Sequence, residues 1–369
     1  MVPGPIARSL IVAFGIILSN LFSITSALAD KEGAFSATID FFVFDVAIPT
    51  YKKLSESAEK LDITVGDLCK RPAPEAYNTV NEAFREVVRA WSSAEVIRFG
   101  PIRQENRLER IFYWPDTRSR GLKKTRTVLA EGQISADTDL KGKTVAIQGL
   151  PALEYLLYGA RSVRLKKLGG DPARCAFAKA ISNNLRGISQ ELLAAWESPE
   201  KFQKTIGTPG TDNPRFRSNK EAIQEILKSA AELTELVSVA KLESPLGKTV
   251  EKSKPKRAAF WRSGLTLENI DWNVRAIVNL QETARLSELL PAEERGYGHN
   301  LIFEARQVNK ALKTLTDSKK LWPDLVGGPQ SRTLLLYVLN PLTGMKDILS
   351  VYYPEALGLQ LGFNSLDGD

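Results

Sequence analysis

The sequence predicts an all-α protein made of two tandem antiparallel helical bundles. Three observations carry that expectation. Long stretches place apolar residues three and four apart, the spacing of a helix with one buried face. Helix-start signals precede several of these stretches. Alternation, the mark of a half-buried strand, is hard to find outside Thr144 to Ile147.

Residues 1–29 read as a secretory leader. Arg8 precedes the apolar run Leu10 to Leu18, and Ala27-Leu28-Ala29 before Asp30 has the small-x-small form of a cleavage site. The expected product is an exported protein cleaved near Ala29. An uncleaved anchor helix is the alternative, opposed by a short apolar stretch broken by Asn20 and several serines. No cysteine sits next to the cleavage point to accept a lipid, and no later apolar run is expected to span a bilayer.

The first periodic segment, Phe35 to Leu61, contains Pro49, which should kink it or mark a helix start. A second runs from Glu75 to Val96. Asp171-Pro172 pairs an N-cap with a proline at the first helical position, followed by Phe177, Ile181, Leu185, Ile188, Leu192 and Trp196 on one stripe. The stretch Ile206 to Pro214 holds the densest turn chemistry, so the bundles are placed at 30–205 and 206–369. Beyond it, Ser218 and Glu221 form a capping box for a helix to Lys241 whose stripe runs from Ile223 to Ala240. Periodic segments at Leu265 to Leu289, Asn300 to Leu315 and Pro329 to Asn340 complete the set. Helices joined by short turns favour antiparallel bundles.

The formal net charge of +7 falls by one when the leader is removed with Arg8, and suits acidic partners or anionic surfaces. Basic residues are spread among acids, with Lys248 to Arg257 a dense patch and no aromatics interleaved. That pattern argues against nucleic-acid binding. The two cysteines, Cys69 and Cys175, predict one disulfide in an oxidising compartment, with two buried thiols as the alternative.

Familiar catalytic sets are missing. A helical zinc-peptidase site needs two histidines one turn apart, and the chain has one histidine, His299, which precedes a helix and reads as a cap or interface residue. There is no Gly-x-Ser-x-Gly elbow. Gly142-Lys143-Thr144 and Gly247-Lys248-Thr249 lack the earlier glycine of a phosphate loop.

Four segments are richer. In Arg103 to Arg110, helical spacing would set Arg103, Asn106, Arg107 and Arg110 on one face, leading to Trp114 and Asp116. The simpler alternative is a surface helix laced by Glu105 and Glu109. Trp261-Arg262-Ser263-Gly264 and the terminal Gly362 to Asp369 each join an aromatic to glycine and polar atoms, the makings of a ligand pocket. Gln148-Gly149-Leu150-Pro151-Ala152-Leu153-Glu154 opens a helical pattern that holds Glu154 as either an arginine's partner or a ligand-binding group.

Taken in order along the chain, these blocks resemble those of imelysin-like proteins, a periplasmic family linked to iron uptake. The resemblance covers essentially the whole mature chain. It implies two helical bundles with a site between them, residence in the periplasm, and a Gly-x-His-x-x-Glu motif. Gly149 and Glu154 match that motif, while Pro151 stands at the histidine position.

The resulting expectation is a non-enzymatic binding protein associated with iron or another metal, or a metal chelate, with a degenerate metal motif. Its ligand-binding residues would be Glu154, Arg103, Arg107, Trp114, Asp116, Gln148, Arg262, Ser263 and Asp367, with Glu154 as the one metal ligand, helped by Asp116, Asp367 or carbonyls. Alternatively Glu154 pairs with Arg103, Arg107 or Arg262 and leaves a pocket for an organic ligand or anion. A transport partner at the inner membrane or in the envelope is expected. A carboxylate-based metallopeptidase and an envelope scaffold are the other readings.

Overall fold

The computed structural model describes residues 31–159 and 171–361. The leader, the terminal block and Asp367 within it lie outside the described residues. Among those residues the chain is helical with no strand. The one strand-like pattern, Thr144 to Ile147, forms a single 3-10 turn, Val145–Ile147, because no neighbouring strand exists to pair with it.

α1 (Lys31–Lys70) is continuous through Pro49. The chain opens into a π turn, Phe42–Ala47, just ahead of the proline, and this wider turn accommodates the missing N–H. Then come α2 (Pro74–Ala94), the short α3 (Arg107–Ile111), α4 (Arg120–Glu131) and α5 (Leu150–Tyr158). α6 (Pro172–Glu197) starts as expected, with the Asp171 carboxylate accepting from the Arg174 N–H at 3.1 Å. The Cys69–Cys175 disulfide joins the end of α1 to the start of α6. Asp62 on α1 also meets Lys179, Arg186 and Ser182 of α6.

α7 (Phe202–Gly207) leads into the turn-rich segment. There Asn213 organises the reversal: its amide donates to the Thr205 carbonyl at 2.6 Å and its oxygen accepts from the Arg215 and Phe216 N–H groups, each at 2.9 Å. α8 (Asn219–Glu235) is capped by Ser218, although Glu221 reaches the Arg217 N–H rather than that of Ser218. It continues through a second π segment, Leu236–Glu243, into Ser244–Leu246.

α9 (Thr266–Thr283) is shorter than the periodicity implied. Ala284 closes it, and Arg285 turns left-handed at φ 56° ahead of a 3-10 turn, Leu286–Leu289. α10 (Gly296–Asp317), α11 (Trp322–Gly327) and α12 (Pro329–Asp347) follow. α12 runs past Pro341, which is buried, and on to Leu357 through a third π turn.

α1, α2 and α6 pack together, as do α8, α9, α10 and α12, and α9 lies against α2 where the two sets meet. One continuous core links them. Two helices, Lys31–Lys70 and Pro329–Leu357, are in fact long and apolar enough to cross a membrane by length and composition. That departs from the expectation that no later run would be. Much of their apolar content belongs to the core, including Ile39, Leu54, Leu335 and Leu342.

Candidate functional site

The Gln148-to-Glu154 block shows why each motif position is what it is. Gly149 precedes α5 in extended backbone, pressed against α3. A Cβ there would lie 2.1 Å from the Ile111 carbonyl oxygen and 2.5 Å from that of Arg110, so only glycine permits the approach. Pro151 sits in the first turn of α5, where its fixed φ favours the helix and its missing N–H costs nothing. Pro151 thus acts as a helix-start residue. Arg174, held by the cap of α6, donates to the Leu156 carbonyl at 2.9 Å and so ties down the far end of α5.

Glu154 is 3% exposed. Its Oε1 accepts from the Arg262 N–H at 3.0 Å and from the Ser263 N–H and hydroxyl, each at 2.9 Å. The Arg262 guanidinium stands 3.8 Å from Oε2. These donors belong to a tight turn in which Phe260 (φ 54°) and Gly264 (φ 78°) are left-handed and the Leu265 N–H returns to the Phe260 carbonyl. The carboxylate of the first half thus clasps a backbone nest of the second.

Burial pushes the Glu154 carboxyl above its usual range, opposed by the Ser263 N–H and the Arg262 charge. The native state consequently binds more proton than the unfolded chain between the ordinary and the raised midpoint, so stability falls as pH rises through that window. Glu154→Gln keeps an acceptor but cannot titrate. Plotted against pH, the melting temperature of the parent is expected to drop relative to the variant across that window; parallel curves would show that the nest fully offsets burial.

Beside this clasp is a cavity of about 90 Å³ walled by both halves. Phe112, Trp114 and Tyr155 come from the first, Phe260 and Trp261 from the second, with Asp116, Lys256 and Arg262 as charged groups. The Trp114 indole N–H donates to the Arg257 carbonyl at 3.2 Å across the junction. The Trp114-Pro115 peptide is cis. Asp116 accepts from the Arg120 and Leu122 N–H groups at 2.7 and 3.1 Å and so caps α4. The Arg262 guanidinium lies 4.6 Å from the Trp261 ring centre. The Trp261 indole nitrogen is buried without a hydrogen-bond partner.

Of the residues expected at the site, Glu154, Trp114, Asp116, Arg262 and Ser263 come together. Gln148 is fully buried but structural: it accepts from Arg110 at 2.8 Å and donates to the Lys143 carbonyl at 2.7 Å. The arginines of 103–110 do not share a helical face, because Glu105 (φ 53°) and Asn106 (φ 54°) break the helix. Arg103 pairs with Glu109 at 3.4 Å, and Arg107 with Glu191 at 3.0 Å and Glu105 at 3.3 Å. Neither lines the cavity, and Glu154 takes Arg262 as its arginine. His299 is exposed in the first turn of α10.

Behind the aromatic wall lies a network that the motif reading did not include. Lys241, 0% exposed, donates to Glu95 at 2.6 Å and to the Asn273 side-chain amide oxygen Oδ1 at 2.7 Å, and stands 5.6 Å from the Phe112 ring centre. Lys241 falls four residues after Val237 on the apolar stripe, and that register was the available signal.

The donor set does not fit a directly coordinated metal ion. Glu154 Oε1 already takes three donors, a guanidinium faces Oε2, Pro151 offers no ligand atom, and the described residues hold no cluster of three His, Cys, Asp or Glu side chains suited to one.

The fold and this junction define an all-α protein with a small aromatic and cationic pocket between two helical sets. A family model for imelysin, described as Peptidase_M75, matches residues 47–348, and the chain belongs to that family. Among solved structures it is similar to an imelysin-like protein from Psychrobacter arcticum 273-4, at 17% identity and TM-score 0.69, covering 90% of this chain and 98% of that one. It is also similar to a protein titled "putative iron-regulated protein A precursor" from Parabacteroides distasonis ATCC 8503, at 16% identity and TM-score 0.72, covering 88% and 95%. At these identities the likeness concerns the fold. No curated protein matches.

Proposed function

We propose that this protein is a non-enzymatic, exported binding protein that takes a small organic anion in the cavity beside Glu154. Its connection to iron or another metal would run through an anionic chelator or its complex, passed to a partner at the inner membrane or in the envelope. The observation that carries this reading is the commitment of Glu154: its carboxylate is engaged by the 260–264 turn, while the adjoining cavity offers the cations Arg262 and Lys256. The signal-peptide pattern supports export, and the printed name of the Parabacteroides neighbour supports the link to iron.

The test is calorimetry on the mature protein with ferrous and ferric iron and with metal-free carboxylates, citrate and benzoate. Saturable binding of at least one carboxylate is expected, weakened about tenfold or more in Arg262→Gln, consistent with the loss of a charged hydrogen bond, with no saturable binding of bare iron. Stoichiometric binding of bare iron that disappears in Glu154→Gln would overturn the reading, as would failure of every anion to bind.

A further inference from the structure

A dense basic segment, Lys248 to Arg257, reaches this cavity at its end, where Lys256 and Arg257 form part of the rim. Lys248, Lys252, Lys254, Lys256 and Arg257 are exposed, with one acid, Glu251, among them. Among the described residues none of the five cations forms an ion pair. Lys256 and Arg257 themselves line the cavity, and Lys256 also sits 6.0 Å from the Trp261 ring centre.

The rim is anchored. Buried Arg332 donates to the Leu246 and Gly247 carbonyls at 2.9 and 2.7 Å, the Lys254 N–H bonds to the Pro245 carbonyl, and the Trp322 indole N–H donates to the Pro255 carbonyl at 3.1 Å. A fixed loop with unneutralised positive charge at the mouth of a pocket attracts and concentrates anions.

Inside, the walls are rings. Phe112 stacks on Phe260 at 5.0 Å between centres and 16° between planes, and on Trp114 at 5.7 Å and 26°. Half-buried Trp114 is thus one end of a three-ring stack at the junction. On the facing turn, Arg262 is stacked on Trp261 and held near Tyr155. Nearly parallel rings favour a further planar π-system over a puckered aliphatic body.

Size limits the choice. At about 90 Å³ the space is smaller than the roughly 150 Å³ cavity that takes up benzene. A space below that size takes part of one ring, whose polar edge stays at the mouth, and excludes a chelate of several rings.

From this combination we infer that the ligand is a single-ring aromatic acid, its face against the Trp114 and Tyr155 rings and its carboxylate between Arg262 and Lys256, drawn in by the basic 248–257 segment. The inference rests on the small-anion reading above and names the class of anion.

The test uses metal-free benzoate, salicylate, cyclohexanecarboxylate and citrate, followed by calorimetry and tryptophan fluorescence on the mature protein. Benzoate and salicylate should bind saturably and perturb the fluorescence, with cyclohexanecarboxylate weaker by about tenfold, the scale of one stacking contact. Lys256→Gln and Arg262→Gln should each weaken benzoate. The triple variant Lys248→Gln, Lys252→Gln, Lys254→Gln should slow association and leave dissociation unchanged, an effect that vanishes at high salt.

Binding of citrate without the aromatic acids would overturn this inference and leave the anion reading standing. Equal binding of cyclohexanecarboxylate would also overturn it. Binding of none of the four would remove both.

Discussion

Replacing Lys241 by methionine is expected to destabilise the protein by about 3–5 kcal/mol, the cost of leaving one member of a buried ion pair uncompensated. Lys241 and Glu95 are 0% and 1% exposed at their side chains and 2.6 Å apart. Burial lowers the lysine's affinity for its proton, and the glutamate beside it restores part of that affinity. Methionine preserves much of the aliphatic stem, so packing against Phe112 and Trp114 changes little and the loss is mainly electrostatic. The double variant Glu95→Gln, Lys241→Met should regain most of the stability, because no buried charge is then left over and Asn273 can still donate to residue 95. Urea unfolding of the parent, both single variants and the double variant makes the cycle. A methionine variant losing less than about 1 kcal/mol, the range of a surface pair, would mean that water reaches the pair.

This pair also marks where the sequence stopped being readable. Long helices were legible because their signals are local: the Asp171-Pro172 start and the Ser218 cap both stand where the sequence placed them. The π segments were not, since a periodic stripe tolerates one widened turn without visible change. The second of them, Leu236–Glu243, carries Lys241 into the junction. At the site, Glu154, Trp114, Asp116, Arg262 and Ser263 were recognisable from their blocks. Arg103 and Arg107 were misplaced because helical spacing was assumed through Glu105 and Asn106, which adopt left-handed backbone despite lacking a glycine. The Lys248-to-Arg257 patch was visible as charge, but its position at a cavity mouth is set by long-range contacts from Arg332 and Trp322. Nothing in the local sequence announces those contacts.

Opening the Cys69–Cys175 bond is expected to cost about 4–5 kcal/mol, because it closes a loop of sequence separation 106 and thereby limits the unfolded chain. The sequence left open whether these residues form a bond or two buried thiols; the bond places the whole first wall of the cavity, Phe112 through Tyr155, inside a closed loop. The effect acts chiefly through the unfolded state, so the Cys69→Ala, Cys175→Ala variant should unfold at lower denaturant with a steeper dependence, its unfolded chain exposing more surface. Ligand affinity of the folded variant should remain that of the parent. The reason lies in the local contacts: the Asp171 cap holds the start of α6, and Arg174 grips the Tyr155 and Leu156 carbonyls whether or not the sulfurs are joined. Denaturation in the presence and absence of reductant, followed by anion titration well below the midpoint, separates the two contributions. A fall in affinity that accompanies the fall in stability would show that the bond also positions α5, and with it Glu154, in the native state.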